Sequence, residues 1–164
     1  MSDLKFIKIT PEMKCAAEQR NVSSAKKYGT KGTRLVEKNK KIRETGFLGE
    51  QIVKSAYPHL ELSTDDDYDF HYKNITFDVK AVGCNGMPRP DYVGTVFGTR
   101  DRVKADYLIF VRVMNDGSGG WVCGFIKVYE FFDKCTTVTA GTVNNNFTYD
   151  HDRFTIEYGK LVIP

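Results

Sequence analysis

The stretch YDFHYKNITFDVKAVG, Tyr68–Gly83, limits the possible folds most strongly, because its pattern is typical of a β-hairpin. Two runs of alternating polar and apolar residues flank a central Lys73-Asn74 pair. We expect this pair to form a two-residue turn in which Asn74 tolerates positive φ. The pairing then places strands over residues 67–72 and 75–81.

Side chains along a strand point alternately to opposite faces, so this hairpin has one apolar and one polar face. The apolar face suits the core of a small domain. It carries Tyr68, Phe70, Tyr72, Ile75, Phe77 and Val79. The polar face carries Asp67, Asp69, His71, Thr76, Asp78 and Lys80.

Two aspartates oppose each other on the polar face. In the expected register Asp69 and Asp78 are direct neighbours, with Cβ atoms about 4.5–5.5 Å apart. Like charges this close repel, and a divalent cation between them would make the arrangement favourable. Carboxylate oxygens suit Mg²⁺ or Mn²⁺, and Lys80 can reach the same site. The alternative is a solvent-facing hairpin, in which Asp67 opposite Lys80 is a surface ion pair.

The rest of the chain predicts a small mixed sheet flanked by helices. We expect a helix from Pro11 to Gly29, a loop or exposed arm over residues 29–41, and a second helix over residues 46–57 that ends before Pro58. The further strands are expected at residues 92–97, 106–114, 121–126, 153–158 and 160–163, with a short helix at 128–135.

Length and composition indicate a single soluble domain. The 164 residues are 41% hydrophobic and 27% charged, and no apolar run is long enough to span a bilayer. The N-terminal residues lack the features of a signal peptide, so we expect a cytoplasmic protein. No two of the four cysteines have the close spacing of a zinc or redox motif, so we expect reduced thiols. They are Cys15, Cys84, Cys123 and Cys135.

Positive charge is concentrated near the N-terminus. Residues 1–45 hold 12 Lys and Arg against 5 Asp and Glu, whereas the rest of the chain is net negative. Such asymmetry favours a polyanionic partner, and the alternative is a solvated basic helix or arm. The candidate nucleic-acid contacts are Lys31, Arg34, Lys38, Lys40, Lys41 and Arg43.

Four elements occur in an order that resembles a nuclease superfamily. GFLGEQIV carries Glu50 on the second helix, YDF carries Asp69, and FDVK carries Asp78 and Lys80; the apolar strand ADYLIFVRV follows. This arrangement resembles the PD-(D/E)XK nucleases, with Tyr68 in place of the proline. The resemblance extends over nearly the whole chain to small phage-encoded endonuclease-like proteins.

The resemblance implies an α/β, restriction-endonuclease-like domain over residues 1–164 and a Mg²⁺- or Mn²⁺-dependent endonuclease, with DNA as the expected substrate. Asp69, Asp78 and the backbone carbonyl of Val79 would hold the ion. Lys80 would position the attacking water and stabilise developing charge. Glu50 would hold a second ion or orient a metal-bound water.

Several alternatives stay open at this point. Glu50 also fits a charge at the edge of an amphipathic helix, although Gly46 and Gly49 would let that helix approach the sheet closely. A homodimer would supply two sites for cutting both strands, and a phage origin would place the protein in the bacterial cytoplasm. The competing function is a non-catalytic nucleic-acid-binding or structural phage protein that keeps the nuclease fold.

Overall fold

The computed structural model describes residues 4–28, 33–97, 100–144, 147–149 and 151–163, with the side chains of 25–28, 33–39, 144 and 147 outside the description. The helices are α1 (Pro11–Tyr28), α2 (Thr33–Ala56) and α3 (Val128–Lys134). The strands are β1 (Ile7–Lys8), β2 (Glu61–Leu62), β3 (Phe70–Tyr72), β4 (Ile75–Cys84), β5 (Val93–Phe97), β6 (Tyr107–Met114), β7 (Gly119–Lys127), β8 (Thr136–Val138), β9 (Val143–Asn144), β10 (Phe147–Thr148) and β11 (Arg153–Glu157).

A six-stranded mixed sheet organises the fold, in the order β1-β7-β6-β4-β3-β2. Strands β4 and β6 are parallel and pair over eight residues, from Phe77 with Tyr107 to Cys84 with Met114; the other neighbours are antiparallel. A second sheet has the order β5-β11-β8. The expected mixed α/β architecture with flanking helices is therefore confirmed.

Strand β6 lies between two cores. Its side chains alternate, with Ile109 and Val111 in a cluster that includes Ile52 of α2. Leu108 and Phe110 pack in the other cluster, with residues of α3 and the second sheet. Because β6 is buried on both faces, its sequence is an almost continuous run of apolar residues.

The helical region is longer than the sequence predicts. Helix α2 begins at Thr33, so the expected loop or arm over residues 29–41 is wrong from residue 33 onward, and residues 29–32 lie outside the described part. Helix α2 packs against α1, Arg43 in the added part bonds to Asn21 of α1, and Lys, Arg and Glu are good helix formers. The basic composition of residues 33–41 and the glycines near them therefore did not indicate a loop.

The hairpin register is confirmed where the strands pair, since Phe70 faces Phe77 and Tyr72 faces Ile75. Two details differ. Lys73, not Asn74, has positive φ, at 53°. The first strand begins at Phe70 rather than at residue 67, so Asp67 does not oppose Lys80 in a ladder.

Other expected elements agree with the structure except near the C-terminus. Residues 160–163 form no strand, and Val162 makes only an isolated bridge with Phe125. All four cysteines are free thiols, as expected. Within the described part of the chain, no helix is long and apolar enough to cross a membrane.

Candidate active site

Three carboxyl groups from separate segments approach one another beside the sheet. Glu50 comes from α2, Asp69 from the bend before β3, and Asp78 from β4. The Glu50 side chain is 7% exposed and that of Asp78 is 17% exposed. The pKa values of Glu50 and Asp69 respond to this proximity, because Asp69 raises the first and Asp78 raises the second.

Close packing of α2 on β4 brings Glu50 to the site. Gly49 lies directly against Ala81, and a Cβ on Gly49 would overlap the Ala81 Cβ. The expected role of Gly49 is thus confirmed. That of Gly46 is wrong, because a Cβ there would have no neighbour within 4 Å.

Asp69 lies at the end of the hairpin ladder. Its backbone N–H donates to the carbonyl of Phe77 at 2.9 Å, and its Oδ2 accepts from the backbone N–H of Val79 at 2.7 Å. The Asp69 carboxyl is therefore held against β4 beside Asp78. Burial and the charge of Asp78 raise the pKa of Asp69 to about 6, and the bond from Val79 opposes part of this rise.

Lys80 is paired with the neighbouring aspartate. Its Nζ lies 2.9 Å from Oδ1 and 2.7 Å from Oδ2 of Asp78. Both residues come from β4 two positions apart, so the strand period places them on one face. The expected proximity of Asp69, Asp78 and Lys80 is present in the structure.

Arg20 contacts Glu50 and was not among the candidates from the sequence. Its Nη1 donates to Glu50 Oε2, and its guanidinium lies over the Phe47 ring, 5.2 Å from the centroid. Burial, with the charge of Asp69, raises the pKa of Glu50 to about 8, and Arg20 opposes part of the rise. One signal in the sequence was available, because Arg20 falls at helical spacing from Met13 and the buried Ala17.

The donor set suits a hard divalent cation, since it consists of carboxylate oxygens. However, the side chains as they stand do not gather around one point: among the described residues, no group of three or more His, Cys, Asp and Glu could hold a metal ion. Each carboxyl instead has a partner from the protein. The partners are Arg20 for Glu50, the Val79 amide for Asp69, and Lys80 for Asp78.

The predicted nucleic-acid contacts lie on α2, at least where the structure describes them. Lys40 and Lys41 are exposed, whereas Arg43 is partly buried and its Nε donates to the buried Asn21 at 3.1 Å. The side chains of Arg34 and Lys38 lie outside the description, as does Lys31 entirely. Lys14, Lys40 and Lys41 line a cleft of about 370 Å³ between the two helices and the turn after β6.

Comparison of the sequence with protein-family models and with curated proteins found no match.

Proposed function

We propose that this chain is a Mg²⁺- or Mn²⁺-dependent nuclease of the PD-(D/E)XK type that hydrolyses phosphodiester bonds, with DNA as the expected substrate. The observation that carries the proposal is the proximity of the largely buried Glu50, Asp69 and Asp78 carboxyl groups, with Lys80 bonded to Asp78. Buried carboxyl groups with raised pKa values are found more often at functional sites than elsewhere in a protein. We propose, as part of the same hypothesis, that the α/β core is of the restriction-endonuclease-like type.

The chain's own residues have separate roles in it. Asp69 and Asp78, with the Val79 carbonyl, would hold the ion, and Glu50 would hold a second ion or orient a water. A bound divalent ion would neutralise charge at the phosphate and lower the pKa of a water. Lys80 would place an attacking water and stabilise the charge that develops on the phosphoryl oxygens. Because its Nζ is bonded to Asp78, it would have to leave that carboxyl for this role.

Exposed lysines on α2 provide a second part of the substrate surface. Lys40 lies ten residues before Glu50, which is about 15 Å along a helix. Duplex DNA rises about 3.4 Å per base pair, so this separation spans about four base pairs. Around the helix axis Lys40 lies about 80° from Glu50, whereas Lys41 lies on the opposite side of α2. Lys40 is therefore the lysine that one duplex could contact while a phosphate lies beside Glu50.

The test is incubation of the purified protein with linear duplex, branched and single-stranded DNA and with RNA. Each substrate is tested with Mg²⁺, with Mn²⁺ and with EDTA. We expect cleavage of at least one DNA form that EDTA abolishes. Lys80→Ala should remove the cleavage while circular dichroism and the melting temperature stay close to the parent. Intact substrates under all metal conditions, or equal cutting by Lys80→Ala, would contradict the proposal.

The second candidate is a non-catalytic nucleic-acid-binding or structural phage protein with the same fold. The observation that favours it is the pairing of every carboxyl with a protein donor, which satisfies the cluster without a metal ion. The same assay separates the two candidates. Salt-dependent DNA binding without cleavage, unaltered by Mn²⁺, would select the second.

A further inference from the structure

The outer face of the second sheet carries an exposed aromatic ring with an arginine against it. Phe97 of β5 lies directly across from Arg153 of β11, so their side chains share one face of this sheet. The neighbouring pair, Val96 and Phe154, packs in the core, so Phe97 and Arg153 face outward. Phe97 is 57% exposed even with the arginine beside it.

Arg153 lies between two aromatic rings. Its Cζ is 4.6 Å from the centroid of the Phe97 ring and 4.9 Å from that of the Tyr149 ring. Cation–π attraction acts within about 6 Å of a ring centroid, so both rings hold the guanidinium in place. The three side chains form a stack in which Phe97 is the more exposed of the two rings.

Positive charge is in excess close to this stack. Both arginines of the short 3-10 helix Arg100–Arg102 are exposed, and the three-residue step from Phe97 to the start of that helix spans at most about 11 Å. With Arg153 they give three cations against Asp101 and Asp152 among the described residues of these two segments. An anionic partner therefore fits this surface better than a neutral one.

The second sheet lies on the side of the six-stranded sheet that carries Lys80. Lys80 and Phe110 are paired in the ladder between β4 and β6, so their side chains share one face. Gly94 of β5 lies directly against the Phe110 ring, which a Cβ at position 94 would overlap. A strand bound at Phe97 therefore stays on the Lys80 side of the six-stranded sheet.

We propose that the outer face of the second sheet binds single-stranded DNA, with an unpaired base stacked on Phe97 and the adjoining phosphates on Arg100 and Arg102. Every base has a flat π-face, so stacking on an aromatic ring requires no particular sequence. Bases of a duplex would first have to leave their own stack, which costs free energy, so the exposed ring favours an unpaired strand. Arg153 supplies positive charge beside the stacked base. This binding needs no metal ion and no cleavage, so it can be tested apart from the proposed nuclease activity.

Fluorescence anisotropy with a labelled thymidine strand of about 12 nucleotides, in EDTA, measures the binding. Phe97→Ala should lower the affinity about 5- to 150-fold, equivalent to about 1–3 kcal/mol, which is the usual effect of removing one stacking ring. Phe97→Trp keeps a stacking ring and should bind as the parent does. Tyr72→Ala is the matched control and should also bind as the parent does, because Tyr72 is an exposed ring on the hairpin with the Lys73 Nζ 5.3 Å from its centroid. Thermal melting of each variant verifies folding.

Two further measurements separate stacking from phosphate contacts. An abasic strand of the same length keeps the phosphates but has no base to stack, so the parent should prefer the thymidine strand. This preference should shrink about 5-fold or more in Phe97→Ala. Replacing Arg100 and Arg102 by Gln should make the slope of log K against log salt shallower by about 1.4 in total, since each phosphate contact to a single strand contributes about 0.7.

The outcomes separate this inference from the proposed function. A protein that cleaves no nucleic acid but binds the thymidine strand through Phe97 would support the inference and contradict the nuclease proposal. The inference is overturned if the parent does not bind the thymidine strand, or if Phe97→Ala binds it as tightly as the parent does. An unchanged salt slope would refute the phosphate contacts. If sedimentation showed the parent as a dimer and Phe97→Ala as a monomer, this face would be a contact between two copies of the chain and the DNA site would be refuted.

Discussion

The packing of α2 on β4 predicts opposite effects for two glycines of one helix. Gly49 and Gly46 are one turn apart, and each would gain only a methyl group on substitution by Ala. The new Cβ at position 49 would overlap the Ala81 Cβ and contact the Val111 Cβ at 3.8 Å. The new Cβ at position 46 would meet no atom within 4 Å in the described part of the chain, apart from its chain neighbours and its own helix backbone.

Two terms set the expected size of each effect. Ala in place of Gly stabilises a helix interior by about 0.5–1 kcal/mol. Overpacking a close contact costs about 1–3 kcal/mol. Gly46→Ala should therefore gain about 0.5–1 kcal/mol, whereas Gly49→Ala should lose up to about 2.5 kcal/mol after the two terms offset. For a domain of this size the loss corresponds to a fall of up to about 10 °C in melting temperature.

Urea denaturation of both variants measures these differences, and the double variant Gly49→Ala/Ala81→Gly tests the contact directly. Removing the Ala81 methyl should recover part of the loss, with a coupling energy of about 1 kcal/mol or more. Because Gly49 precedes Glu50, displacement of the helix by about 1 Å should also lower the proposed nuclease activity by about 100-fold. If Gly49→Ala gained stability as Gly46→Ala does, the close approach of α2 to β4 would be refuted.

The remaining predictions concern pH and salt. Because the pKa values of Glu50 and Asp69 are raised to about 8 and about 6, protons must leave before these carboxyls bind metal; calorimetry should show Mn²⁺ affinity rising from pH 6 to 8, and a flat profile would contradict the assignment. In the folded protein the pKa of Glu50 is about 8, above its usual value of 4.5, so the folded state holds this proton more tightly. The stabilisation from protonated Glu50 is therefore complete below pH 4.5 and is lost as the pH rises through about 8. Urea denaturation should show this decline in the parent and less of it in Glu50→Gln. Replacing Lys40 and Lys41 by Ala should make the salt slope of DNA binding shallower by about 1.8 in total if both contact phosphates, and an unchanged slope would leave them as solvated surface. Arg43 is left intact in that variant because it pairs with the buried Asn21.

The hairpin could be predicted because the residues that determine its pairing are close together in the sequence. Alternation along residues 68–83 fixes which side chains share a face, and the short turn fixes the register, so the pairing of Phe70 with Phe77 follows from sequence. The departure of Asp69 from the ladder could not be predicted, since it depends on its bond to the Val79 amide. Alternation alone predicts that a strand continues.

The helical part was less predictable because contacts between distant parts of the chain, and not local sequence alone, stabilise these helices. The first turns of α2 are basic and follow two glycines, and this local signal does not include contacts to α1 such as that of Arg43 with Asn21. Arg20 was missed for the same reason, as its partner Glu50 lies 30 residues away. Spacing within α1 places Arg20 near its buried side, but spacing does not reveal which residue it contacts.

Calorimetric titration of Mn²⁺ into the parent and into Asp78→Ala measures whether Glu50, Asp69 and Asp78 form the proposed divalent-cation site. We expect saturable binding to the parent at pH 8 and a loss of at least tenfold in affinity in the variant, or about 1.4 kcal/mol. Asp91→Ala is the matched control, because Asp91 is an exposed aspartate that pairs with Arg89 outside the cluster. It should bind Mn²⁺ as the parent does. Equal Mn²⁺ affinity in the parent and in Asp78→Ala would contradict the claim.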